Sequence, residues 1–127
     1  MQAYLILTTL LLPAAVNAAE YRCTVKRKVT RDNESTPAEL AKWKPHTLIE
    51  ETKEGVFVSR CGLSMIKNEI TCDRYPVDRV DIDPHVKIKK MYVFRSQFNV
   101  QIFPDLSFIE DMGRGIISFG TCELTAP

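Results

Sequence analysis

Four cysteines, Cys23, Cys61, Cys72 and Cys122, set the frame within which this chain has to fold. Their even number, behind an N-terminal segment patterned for export, points to two disulfides, because an oxidising compartment keeps such thiols paired. Four cysteines allow three pairings. Of these, Cys61 with Cys72 would bridge two neighbouring strands, and Cys23 with Cys122 would tie the first strand to the last. The second bridge would close a loop of about 100 residues, a constraint of about 4.7 kcal/mol in the chain-entropy model. Structural zinc is the rival use of four cysteines, and the sequence holds no C-x-x-C pair to support it. No cofactor or metal is expected.

Residues Leu5 to Val16 are almost wholly apolar, and Val16 and Ala18 place small residues where a signal peptidase reads. An apolar run of about a dozen residues is too short for a bilayer, which takes about 20. Residues 1–18 read as a signal peptide and residues 19–127 as a single mature β-rich domain. No later stretch could form a stable membrane span. The expected address is the periplasm or the exterior, and the expected state a monomer or small homo-oligomer. With 17 basic and 16 acidic residues the net charge is +1, too balanced for a dedicated nucleic-acid binder.

The rest of the chain alternates with the period of β structure. In the first strand Tyr21, Cys23, Val25, Arg27 and Val29 would share one face, with Arg22, Thr24, Lys26 and Lys28 on the other. Thr36, Pro37 and Glu39 spell a capping box at the start of a short helix, which would place Leu40 and Trp43 over the core and stop before Pro45. After Pro45 the pattern is β to the end. Phe57, Ser59, Cys61, Leu63 and Met65 share a face, and residues 69–74 return to complete a hairpin. Phe98, Val100 and Ile102 alternate clearly, as do Leu106, Phe108 and Glu110. The fold class is all-β: a small disulfide-linked antiparallel barrel or sandwich with one short helix and roughly seven to nine strands.

Catalytic signatures are missing: no G-x-S-x-G, H-E-x-x-H, phosphate loop or dinucleotide fingerprint occurs. His46 and His85 each follow a proline and read as exposed turn residues rather than bases. Asp78, Asp81 and Asp83 could in principle attract calcium, but lack EF-hand spacing and read as the wet face of a strand. The basic residues are more suggestive. Arg22, Lys26, Arg27, Lys28 and Arg31 form one tract, and Lys87, Lys89 and Lys90 another. If their strands were neighbours, their outer faces would make one positive patch for an anionic glycan or an envelope protein. Arg114, between Gly113 and Gly115, would project from a tight turn into a partner. Lys87, Lys89, Lys90 and Arg114 are therefore the candidate partner-binding residues. Arg60, Arg74 and Arg95 are expected to pair with Asp73, Asp78 or Glu110.

Two short stretches, Tyr21-Arg22-Cys23 near the start and Gly120-Thr121-Cys122 near the end, resemble the outline of periplasmic inhibitors of c-type lysozyme. The resemblance covers the two ends of the chain and implies a small exported β-barrel with its end strands disulfide-linked. The serine- and tyrosine-containing loop of those inhibitors has no counterpart here, so it carries over no functional residue. The overall layout also resembles small exported proteins of Gram-negative bacteria, which implies a periplasmic address. The function expected is a non-enzymatic binding or inhibitory domain. The alternatives are a carrier of a small apolar ligand, with a cavity lined by Phe94, Phe98 and Phe108, and a small hydrolytic enzyme using His46 or His85 beside a carboxylate.

Overall fold

The structure is a computed structural model that describes residues 19–126; the expected signal peptide at 1–18 lies outside the described residues. Strand β1 (Ala19–Val29) lies at the middle of the sheet. It pairs antiparallel with β2 (His46–Thr52) on one side and with β9 (Ile117–Ala126) on the other. Beyond β2 come β3 (Gly55–Ser64) and β4 (Glu69–Pro76). Beyond β9 come β8 (Ser107–Asp111), β7 (Phe98–Ile102), β6 (Lys89–Val93) and β5 (Arg79–Ile82). All nine strands form one antiparallel sheet, curled into a half-barrel rather than divided into a sandwich.

The first and last strands do meet, as the cysteine pattern suggested. The seam of the sheet falls elsewhere, between β4 and β5, which are the two edge strands. Val77 and Asp78 connect those edges. Their N–H groups donate to Val56 O and Tyr92 O, both at 2.9 Å, so the link is tied to a strand on each side of the seam.

The core fills the concave face. Val25, Ile49, Val58, Met91, Val93, Phe98, Val100, Ile102 and Phe108 are buried there because alternate residues of each strand point inward. Phe98 meets Tyr75 edge-on across the half-barrel, with ring centroids 5.1 Å apart. Gly120 is in β9 because nothing larger fits: a Cβ there would collide with Thr24 O and the Phe108 ring.

Both expected disulfides form, and they lie on opposite faces. Cys23–Cys122 is buried in the concave core, spanning 99 residues of sequence. Cys61–Cys72 joins directly paired residues of β3 and β4 on the convex face. The helix α1 (Pro37–Trp43) has the expected boundaries and the expected reciprocal cap. Glu39 N donates to Thr36 Oγ1 at 3.2 Å, and Thr36 N donates to Glu39 Oε1 at 3.0 Å. The helix packs on β1 and β3, with Leu40 against the core.

One expectation about β1 fails. Val25 pairs with Gly120 and Arg27 with Phe119, so Lys26 is an extra residue in a β-bulge. One extra residue reverses every side chain that follows it. Arg27 therefore leaves the inward face to lie over the Phe119 ring, at 5.8 Å, and pairs with Glu34. Lys28, expected outside, pairs with Ser118 and turns inward.

Candidate functional site

That reversal helps to build a site. At the end of the half-barrel where β1 finishes and β2 begins, the concave face opens into a cavity of about 240 Å³. Lys28, Thr47, Arg60, Asp73, Glu110 and Ser118, carried by six different strands, give most of its polar lining, and His46 and Cys61 also border it. The period of two that puts Val58 in the core puts Arg60 at the mouth, and the period that buries Phe108 buries Glu110.

Arg60 and Glu110 face each other across the mouth, Nε to Oε1 at 3.5 Å, as one of the expected arginine–carboxylate pairs. The guanidinium also lies over the Phe98 ring, 5.0 Å from its centroid. The Glu110 side chain is only 5% exposed, and its Oε1 accepts no hydrogen bond. Burial raises the proton affinity of this carboxyl above the ordinary value of 4.5; Arg60, Lys28 and the Thr47 hydroxyl oppose that shift without cancelling it. A buried acceptor without a donor costs free energy that a ligand hydroxyl or ammonium would recover.

Arg114 belongs to the same end of the molecule. Gly113 and Gly115 adopt φ of 76° and 74°, a left-handed turn that projects the intervening arginine. Arg114 borders a second hollow, of about 190 Å³, with Tyr75, Ser96, Met112 and Ile116; Arg60 and Met112 line both hollows. Lys28 and Arg60 thus line the first hollow, and Arg60 and Arg114 the second beside it.

The lysine tract is not part of it. Its strand β6 is separated from β1 by β9, β8 and β7, so the two basic tracts form no common patch of neighbouring strands. Lys89 points into the half-barrel, with Nζ 2.5 Å from Glu51 Oε1 and 5.7 Å from the Tyr21 ring centroid. Lys90 points outward over Tyr92, and Lys87 sits in the β5–β6 turn with φ of 59°. Asp78, Asp81 and Asp83 serve three separate local contacts: with Phe94 N, with Arg79, and with the N–H groups of His85 and Val86. Arg74 pairs with Glu50 rather than with any of the three expected acids.

His46 is buried, at 7% exposure, against the expectation of an open turn residue. The left-handed Lys44, with φ of 48°, ends the helix and brings its carbonyl 2.7 Å from His46 Nδ1. No histidine–carboxylate hydrogen bond occurs among the described residues. Phe98 and Phe108 are core residues, while Phe94 is 58% exposed, so the three do not line one cavity. Of the site residues only Arg114 was a candidate binding group in the sequence; Lys28 was counted in a basic tract on the outer face, Arg60, Asp73 and Glu110 were read as ion-pairing residues, and Thr47 and Ser118 carried no signal. Glu110 was legible as an acid in an inward row; Lys28 was hidden by the bulge.

No family model, curated protein or solved structure matches the chain. Two disulfides fit a non-cytoplasmic setting. Among the described residues no helix is long and apolar enough to cross a membrane.

Proposed function

We propose that this is an exported, non-enzymatic binding domain that takes an anionic sugar of an envelope glycan into the mouth of the half-barrel. The observation that carries this reading is the pairing of opposite needs in one polar cavity. Arg60 and Lys28 offer cationic donors there, with Arg114 in the adjoining hollow that shares Arg60, while the buried Glu110 Oε1 accepts no hydrogen bond. An acidic sugar supplies both partners: a carboxylate or sulfate for the guanidinium groups and hydroxyls for Glu110 and Asp73. An acidic protein segment meets the cations but brings fewer hydroxyls. A carrier of apolar ligands is less well supported, because Phe98 and Phe108 fill the core.

The test is capture on the immobilised mature protein from envelope extract, with c-type lysozyme added as a separate arm. Elution by salt of an anionic glycan supports the reading, since exposed ion pairs weaken as salt screens them. Arg114→Ala should weaken capture by about tenfold, the equivalent of one charge-assisted hydrogen bond. Lys87→Ala with Lys90→Ala should leave it unchanged. Retention of an acidic protein or of lysozyme alone would replace the glycan as partner.

A further inference from the structure

His46, Cys61 and Cys72 stand on consecutive rungs of β2, β3 and β4. His46 pairs with Cys61, and Cys61 with Cys72, so all three side chains project from the convex face. One imidazole nitrogen and both sulfurs lie within 4.8 Å of one another. In the oxidised protein the sulfurs are bonded to each other and offer no thiolate.

We propose that reduction of the Cys61–Cys72 bond converts this cluster into a site for a thiophilic ion of the Zn²⁺ class, held by both thiolates and the His46 imidazole. A dithiol reductant supplies the two electrons and two protons: the cystine becomes two thiols and the reductant becomes a disulfide. The ion then displaces both thiol protons, giving a Cys₂His set with a fourth position open.

Three features support it. The Lys44 carbonyl can only accept, so Nδ1 carries a hydrogen, and in the neutral tautomer that this contact selects the lone pair is on Nε2. A backbone carbonyl on the far nitrogen is the usual way a metal-binding imidazole is oriented. The helix cap that ends at Lys44 and the β2–β3 register therefore hold the imidazole beside the sulfurs before any ion arrives. Finally, Cys72 is exposed on the edge strand β4, open to a reductant, whereas Cys23 and Cys122 are 0% and 5% exposed. The buried bond keeps the sheet joined while the outer one opens. This inference does not rest on the glycan reading.

The experiment treats the mature protein with dithiothreitol, removes the reductant without oxygen, maps the free thiols by alkylation, and adds one equivalent of Zn²⁺. Expected are thiols at Cys61 and Cys72 only, binding of one Zn²⁺ per chain, and none bound by the oxidised protein. X-ray absorption of the zinc-loaded wild type should show two sulfurs and an imidazole nitrogen. His46→Gln should weaken binding by about tenfold or more. Opening of Cys23–Cys122 first, no Zn²⁺ on the reduced folded chain, or coordination without nitrogen would each overturn the proposal. The absorption measurement needs no variant and stands even if His46→Gln fails to fold.

Discussion

Glu110 holds the mouth in its present form at a cost. Its folded-state proton affinity is raised, so between the ordinary value of 4.5 and its folded value the folded state holds the extra proton. Stability from this group is present below about pH 4.5 and is lost as the pH rises through the folded value. Glu34, Glu39, Asp83 and Asp105 are shifted the other way, each by hydrogen bonds to its charged form. They contribute stability that is lost on acidification. The difference between the wild type and Glu110→Gln therefore isolates one carboxyl. Urea unfolding across that range should show the wild type losing stability relative to the variant as the pH rises. A constant difference would contradict the burial account. Arg60→Ala leaves a carboxyl that is buried and without its counter-charge. It should cost about 3 kcal/mol in the same assay, the low end for a broken buried pair because Arg60 keeps some water contact.

The elements show which parts of the molecule can be read from residues alone. The helix could be placed to its ends, because Thr36, Pro37 and Glu39 each satisfy a named backbone need. Thr36→Ala should lower stability by about 1 kcal/mol, measured by denaturant unfolding. The β3–β4 hairpin was legible from its alternation and its two cysteines. The bulge at Lys26 was not, since an extra residue leaves no mark in a run of alternating basic and apolar side chains. Its effect reached the site: Lys28 was read as outside and lies inside. His46 was misread for a related reason. Its exposure depends on where the helix that ends three residues earlier packs, and local pattern carries no information on that. Gly120→Ala tests the close approach of β1 and β9. The added Cβ meets backbone at Thr24, which cannot swing aside, so the loss should be about 3 kcal/mol or more.

At the scale of the whole molecule the chain is a strip of hairpins whose middle is zipped by its two ends. The pairing of β1 with β9 and the bond from Cys23 to Cys122 share that duty. Replacing Cys23 and Cys122 by serine together should cost up to about 4.7 kcal/mol, against about 3 kcal/mol or slightly less for Cys61 and Cys72, whose loop is short. The cysteine count anticipated this closure, but the position of the seam between β4 and β5 depends on long-range pairing that no local pattern records. Closure also gathers the mouth: Lys28 comes from the first strand, Glu110 from the eighth and Ser118 from the ninth. The central claim, that this mouth receives an anionic sugar, is tested most directly by an amide NMR titration of the mature protein. An oligogalacturonate is the probe and a neutral oligosaccharide of equal length the control. The account predicts saturable shifts at Lys28, Arg60, Glu110 and Arg114 with the acidic sugar alone. Shifts confined to Lys87 and Lys90, equal shifts with the neutral sugar, or none at all would contradict it.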